Sequence, residues 1–150
     1  MIVYLDTSSL VKVYVDEEGS RGIVELIDKS MAGATSMVAY AESRAAFARR
    51  MREGAFTKTG YKNLVLSFER DWINYVQVKV TQELIQLAGN LAEKHALRGF
   101  DAIHLASAVM LTKSGVPIVF SCHDEKLQRA SSLEKLAQPE RDVRETRVWR

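Results

Sequence analysis

Four acidic side chains are the residues of this sequence best suited to chemistry: Asp6, Glu42, Asp101 and Asp124. Asp6 directly follows one short apolar run, and Asp124 comes shortly after another. Carboxylates in mutual contact cannot all ionise without a cation, so metal-free repulsion should raise the pKa of at least one of them. Hard cations such as Mg²⁺ and Mn²⁺ prefer oxygen ligands, and a pair of them can drive phosphodiester hydrolysis. If the fold gathers these acids, their types indicate metal-dependent hydrolysis.

Asp101 stands within the segment 97–108, which reads LRGFDAIHLASA. Apolar residues recur at helical spacing after Gly99, and this pattern predicts a largely buried helix. A carboxylate at the start of a buried helix costs free energy unless something compensates it. The helix dipole offsets part of that cost, and a metal ion would offset more.

The elements that position the acids follow from the hydrophobic periodicity. Predicted strands alternate with predicted helices, which is typical of a mainly parallel sheet covered on both faces. A length of 150 residues and a hydrophobic content of 47% fit a single globular domain over residues 1–150. The predicted strands are 2–5, 33–36, 75–80, 118–120 and a last edge strand at 145–149.

This topology would bring the acids to one edge of the sheet. Open α/β sheets bind ligands outside the carboxyl ends of their strands, so Asp6 and Asp124 belong there if their strands are neighbours. Asp101 opens the helix that leads into the strand before Asp124, and Glu42 lies at the margin of the helix after strand 33–36. Simpler interpretations remain open: helix caps for Asp6 and Asp124, a dipole partner for Asp101, and an exposed helix residue for Glu42.

Other polar residues are weaker candidates. Thr7 or Ser8 is predicted to cap the first helix. His104 lies one helical turn after the third acid, where packing between helices is its simpler interpretation. Cys122 and His123 are adjacent, but without a second pair of ligands they are poor evidence for zinc.

Positive charge is concentrated in one segment, although the net charge is only +2. Residues 1–43 hold three Lys/Arg and seven Asp/Glu, whereas residues 44–70 hold seven and two. A basic block beside an acidic part suits a phosphate-rich substrate, and a solvated helix face is the alternative. One predicted helix carries Arg44, Arg49 and Arg50. These side chains could bind RNA phosphates or an acidic partner.

The sequence contains no signal for export or membrane insertion. Met1 leads straight into a short apolar run without a basic region, unlike a signal peptide. No apolar run approaches the ~20 residues of a membrane span. The single cysteine rules out an internal disulfide and suits a reducing compartment. We therefore expect a cytoplasmic protein that does not bind membranes.

Four segments together resemble the motifs of PIN-domain proteins, and more closely those of VapC-type toxins from toxin–antitoxin pairs. They are IVYLDTSSLVK, the pair Ser36 and Glu42, LRGFDAIHLASA and VFSCHDEKL, and the resemblance spans residues 2 to about 130. It matches the four acids to the family's acidic metal cluster, and Thr7 or Ser8 to a hydroxyl position near the metal. The family usually has Thr or Ser two residues before the last acid. Here Cys122 takes that place, and the candidate supporting hydroxyl, Ser121, lies one step further back.

The resemblance implies a fold, an activity and partners. The expected fold is a three-layer α/β/α sandwich with a mainly parallel sheet, and the expected activity is Mg²⁺- or Mn²⁺-dependent cleavage of RNA. The expected partners are a second copy of the chain and a small inhibitory antitoxin encoded alongside. Apolar helix surface around Ile23, Ile27, Phe56 and Tyr61 is the predicted dimer contact.

Two other function classes compete with a nuclease. A receiver-like signalling module needs adjacent acids after an early strand and a lysine after a late one, but Asp6 stands alone. A non-catalytic PIN-like domain that binds RNA or protein is the second alternative, and the intact set of four acids argues against it. The chain has no Gly-x-Gly-x-x-Gly and no P-loop, so nucleotide-binding interpretations lack a phosphate cradle.

Overall fold

Four parallel strands form the central sheet of the computed structural model, which describes residues 1–140. They are β1 (Ile2–Leu5), β2 (Ala32–Ser36), β3 (Val76–Val78) and β4 (Ile118–Ser121). Their spatial order is β3-β2-β1-β4, so β1 and β4 are neighbours although most of the chain separates them. Leu5 lies opposite Ser121, which places the residues that follow both strands at the same edge. The prediction of a parallel sheet is confirmed.

Helices cover both faces of this sheet. Those within residues 1–140 are α1 (Thr7–Tyr14), α2 (Ser20–Asp28), α3 (Val38–Arg52), α4 (Lys58–Trp72), α5 (Gln82–His95), α6 (Gly99–Leu111) and α7 (Glu125–Leu133). Helices α1 to α4 pack on one face and α5 to α7 on the other, as the predicted α/β/α sandwich requires. No helix in this part of the chain is long and apolar enough to cross a membrane.

Alternation along β1 divides the hydrophobic core into two clusters. Val3 and Leu5 point towards α1 to α4, while Tyr4 points towards α5 to α7, because successive side chains of a strand face opposite ways. On the first side, Phe68 is fully buried among four aromatic rings whose centroids lie 5.3–5.7 Å away. The rings belong to Tyr14, Tyr40, Phe47 and Trp72. These aromatics therefore stabilise the fold.

The observed element boundaries correct several predictions. The strand predicted over 75–80 is reduced to three residues at the edge of the sheet. The first helix is capped by Asp6, and not by Thr7 or Ser8, since the Asp6 carboxylate accepts the Ser9 N–H. At the outer edge of β4, Val119 makes a single parallel bridge with Ala137. The predicted strand at 145–149 lies outside the described residues.

The predicted dimer surface is largely taken up by the core. Ile23, on α2, is buried in the first cluster, and Ile27 and Tyr61 pack against that cluster. Sequence periodicity identified an apolar face but did not reveal that the same molecule buries Ile23 and leaves Ile27, Phe56 and Tyr61 half-buried. Apolar side chains that are more exposed than these are those of Leu66, on α4, and Ile73, just after it.

Candidate active site

Pairing of β1 with β4 brings Asp6 and Asp124 to the carboxyl edge of the sheet. Asp6 directly follows β1, and its backbone N–H donates to the Ser121 carbonyl at 3.1 Å. Asp124 follows β4 after a two-residue loop, and Asp101 lies in the first turn of α6. The negative charges of Asp6, Asp124 and Asp101 add to burial in raising the pKa of the Cys122 thiol. The three carboxylates are thus close enough for their charges to act on this thiol.

Asp6 is a buried carboxylate with only 6% of its surface exposed. Its Oδ1 accepts the Ser9 N–H at 2.9 Å and the Ser8 hydroxyl at 2.7 Å, and neither of these bonds involves Oδ2. Burial raises the pKa of Asp6, while these hydrogen bonds and the charges of His104 and His123 partly oppose the shift. The expected raised pKa is confirmed in direction, but its main cause is burial and not repulsion among carboxylates.

Glu42 is held in its ionised form by neighbours from two other helices. Its Oε1 accepts the Thr7 hydroxyl at 2.6 Å and lies 2.9 Å from Nε2 of His104. Burial would raise the pKa of Glu42, but the hydrogen bonds from His104 and Thr7 outweigh burial and lower it. The predicted supporting residue Thr7 therefore contacts Glu42 directly, and Ser8 contacts Asp6.

His104 is the functional candidate that sequence reasoning undervalued. It is 2% exposed and connects Tyr4, whose hydroxyl lies 2.8 Å from Nδ1, with Glu42 and Thr7, which both lie near Nε2. If Nε2 carries the proton that Glu42 accepts, Nδ1 accepts the Tyr4 hydroxyl proton and every polar atom of the ring is satisfied. Its position one turn after Asp101 was the only signal for this role in the sequence.

Asp101 and Asp124 each use part of their carboxylate for a local contact. Asp124 caps α7 by accepting the Leu127 N–H on Oδ1 at 2.9 Å. Asp101 accepts Nε of Arg98 on Oδ2 at 3.2 Å, and this pair is open to solvent. The helix-cap interpretation is thus correct for Asp6 and Asp124, and each cap bond occupies one of the two oxygens.

Donor chemistry at this edge fits a hard divalent cation, since all four candidates offer carboxylate oxygens. Their spacing is looser than a closed coordination sphere: among residues 1–140, no three His, Cys, Asp or Glu side chains form a group that could hold a metal ion. A cation at this edge would therefore have to draw the side chains of Asp6, Asp101 and Asp124 closer together.

Two serines link α1 to the end of β4. The hydroxyls of Ser9 and Ser121 lie 2.9 Å apart, and Ser9 Oγ also lies 3.3 Å from His123 Nδ1. Ser121 thus contacts the helix that Asp6 caps, and this contact, not one with Asp124, is its link to the site. Ser9 was missed by sequence reasoning because only the pairing of β1 with β4 brings it close to Ser121.

The three candidate arginines on α3 are engaged within the chain. Arg44 lies 2.7 Å from Glu69 on α4, and Arg50 lies 2.8 Å from Glu17 in the loop between α1 and α2. Arg49 is more exposed and is 4.0 Å from Glu53. Their role in binding RNA or a partner stays a prediction, and the structure adds that Arg44 and Arg50 connect α3 to its neighbours.

Pockets on the described surface include one that contains candidate acids and one that does not. One, of about 540 Å³, contains Glu42 and Asp101, and the rest of its wall is formed by Arg98, Gly99, Phe100 and Ile103. The other, of about 280 Å³, lies between α1, α2 and the start of β2 and β3, and none of the predicted site residues lines it. The first pocket therefore opens onto Glu42 and Asp101.

Comparison with known proteins decides the family. A model of the PIN domain matches residues 3–133. This chain belongs to the PIN domain family. Its PIN domain is similar to the ribonucleases VapC45 and VapC49 of two Mycobacterium tuberculosis strains, CDC 1551 / Oshkosh and H37Rv. Each is 38% identical over 117 residues, which cover 78% of this chain and 81% of the relative.

Solved structures share the fold of this PIN domain. VapBC2 from Rickettsia felis, bound to a DNA fragment from its promoter, has a TM-score of 0.63 at 15% identity and covers 92% of this chain and 97% of that one. FitAcB from Neisseria gonorrhoeae has a TM-score of 0.64 at 15% identity and covers 92% and 96%. The family assignment agrees with the resemblance found in the sequence and leaves no support for a receiver-like module.

Proposed function

We propose that this PIN domain is a metal-dependent endoribonuclease and the toxin of a VapBC-type toxin–antitoxin pair. The observation that carries the proposal is the placement of Asp6 and Asp124 just after the paired strands β1 and β4, while Glu42 and Asp101 line one pocket. The identity to two proteins named as VapC ribonucleases supports RNA as the substrate.

Asp6, Glu42, Asp101 and Asp124 would hold Mg²⁺ or Mn²⁺, which when bound supplies an activated water and stabilises the leaving oxygen. Ser8 and the Ser9 N–H hold Oδ1 of Asp6, and neither of these hydrogen bonds uses Oδ2. Glu42 is kept ionised and oriented by its hydrogen bonds to neighbouring side chains. The protein's own contribution is thus to present ionised oxygens in fixed orientations to a cation and the RNA phosphate.

Cleavage of single-stranded RNA by the purified chain tests the proposal. Cleavage should appear with Mg²⁺ or Mn²⁺, stop in excess EDTA, and be absent for Asp101→Asn with either metal. Persistence of full activity in EDTA would remove the metal mechanism. Binding of RNA without cleavage under every metal condition would instead favour the non-catalytic PIN-like alternative, which the loose spacing of the acids also supports.

We further propose that a small antitoxin encoded alongside inhibits the protein, and that the protein acts in the cytoplasm as one domain over residues 1–150. The antitoxin is supported by similarity to solved structures described as VapBC2 and as a toxin–antitoxin complex from Klebsiella pneumoniae. In the same cleavage assay, the product of the neighbouring reading frame should suppress the activity of the wild type.

A homodimer is our proposal for the oligomeric state. Leu66 and Ile73 are exposed, apolar and seven residues apart, so they share one side of α4. Light scattering at micromolar concentration should give about twice the 16.9 kDa chain mass, and Ile73→Lys should shift the protein towards the monomer. A wild type that stays monomeric under these conditions would refute the dimer.

A further inference from the structure

Part of the wall of the pocket beside Glu42 and Asp101 is formed by residues that are not acidic. Arg98 and Phe100 flank Asp101 in the chain and line the same pocket of about 540 Å³. RNA whose phosphate reaches the acids must place an adjacent nucleotide near this wall. The following inference therefore rests on the proposed ribonuclease function and extends it to how the substrate is held.

Phe100 is a solvent-exposed aromatic side chain on a helix that is otherwise largely buried. It is 58% exposed, although Ala102 and Leu105 of the same helix are almost fully buried. None of the aromatic ring pairs within residues 1–140 includes Phe100. Its ring face therefore lacks the ring partners that most aromatic side chains within residues 1–140 have. Nucleic-acid bases stack on exposed rings of this kind, and they do so with little regard to sequence.

Arg98 supplies a positive charge at the same place. Its side chain is 85% exposed, and its Nε donates to Asp101 Oδ2 at 3.2 Å. An exposed ion pair contributes little to stability, so a phosphate can compete for the guanidinium at low cost. Guanidinium groups bind phosphate oxygens through two parallel hydrogen bonds, which gives geometric specificity as well as attraction.

We propose that Phe100 and Arg98 form a subsite for one nucleotide of single-stranded RNA next to the cleaved phosphate. The base stacks on the Phe100 ring, and the phosphate of the same nucleotide is bound by Arg98. The base must leave its own stack to do so, which selects unpaired RNA over duplex. The positive charge of Arg98 beside an exposed aromatic ring favours RNA over an apolar peptide as the occupant of this pocket.

Binding of fluorescently labelled RNA, measured by anisotropy with the full chain in EDTA, tests the subsite without requiring cleavage. Phe100→Ala should weaken binding of single-stranded RNA by roughly 5- to 150-fold, the usual range for loss of one stacked base. Phe100→Tyr should bind within a fewfold of the wild type. Duplex RNA of the same sequence should bind more weakly and should not distinguish the variants.

Matched controls lie elsewhere on the surface. Leu133→Ala removes an exposed apolar side chain from α7, and Arg21→Ala removes an exposed arginine that pairs with Glu25 of its own helix. Neither should affect RNA binding, whereas Arg98→Ala should weaken it and reduce its dependence on salt concentration.

The inference is overturned if the wild type does not bind single-stranded RNA, or if Phe100→Ala binds as tightly as the wild type. Equal weakening by Phe100→Ala and Phe100→Tyr would also overturn it, because a stacking surface tolerates tyrosine. Weakening by Leu133→Ala as large as that by Phe100→Ala would do the same. If the wild type cleaves RNA and Phe100→Ala has the same KM, the subsite is refuted but the nuclease activity is not. Phe100-dependent binding without cleavage removes the nuclease but not the subsite.

Discussion

Asp6→Asn is expected to reduce RNA cleavage by more than about 100-fold and, at neutral pH, to raise the melting temperature of the metal-free protein by a few degrees. Loss of even a group that only supports a metal ligand typically costs 10–100-fold, so loss of a ligand should exceed that. Stability should rise because Asp6 is a buried carboxylate, and asparagine keeps the helix cap without the charge.

The pH dependence of the same variant has a defined sign. Burial raises the pKa of Asp6 in the folded state, so the native protein binds more protons than the unfolded chain between the two pKa values. Wild-type stability should therefore fall as pH rises from the unfolded value of about 4 through the raised folded value. Asp6→Asn lacks this titration, so the two proteins should melt alike below pH ~4 and diverge above it.

Thermal melting of the wild type and Asp6→Asn at pH ~4 and pH ~7.5, with and without Mg²⁺, measures this effect. Mg²⁺ should stabilise the wild type by binding only its native state and should stabilise the variant less. Asp28→Asn, at an exposed acid on α2, is the matched control and should change neither melting nor cleavage. If Asp6→Asn melts below the wild type at pH ~7.5, the buried carboxylate does not carry the penalty assigned to it.

His104→Ala is expected to lower kcat by roughly 10–100-fold and the free energy of unfolding by about 2–4 kcal/mol. The kinetic effect follows because His104 donates to the Glu42 carboxylate and so orients it. The stability effect follows because the fully buried Tyr4 hydroxyl loses its 2.8 Å partner and the ring leaves a cavity. We therefore expect His104 to act on catalysis as a positioning residue, through Glu42.

A second variant separates positioning from simple support of the fold. In His104→Gln the amide nitrogen lies near the place of Nε2, so it should restore much of kcat while leaving part of the stability loss. His95→Ala is the matched control, because His95 is also buried and bonds a glutamate, Glu134, at 2.7 Å, away from the acids. It should lower the melting temperature but not the kcat of folded protein. Unchanged kcat in folded His104→Ala would contradict the positioning role.

Much of the fold could be predicted because it depends on local patterns. Alternating short apolar runs and helical periodicity were enough to predict the parallel sheet with helices on both faces, and Thr57 and Thr81 cap their helices as their positions suggest. Boundaries were less certain where several polar residues compete for one cap. At the start of α1, Asp6 caps the helix ahead of Thr7 because its carboxylate reaches the Ser9 N–H.

The candidate site, like the fold, could be predicted from the sequence only in part. The sequence by itself was enough to predict the four acids as a site and the sheet edge that receives Asp6 and Asp124, since residue type and chain order carry that information. Only the tertiary structure placed His104 between Tyr4 and Glu42, which are 100 and 62 residues away. It also decided that Arg44 and Arg50 pair with acids of the same chain, and that burial raises the pKa of Asp6. These contacts depend on which elements pack together, and packing free energies between distant segments leave no local periodicity in a sequence.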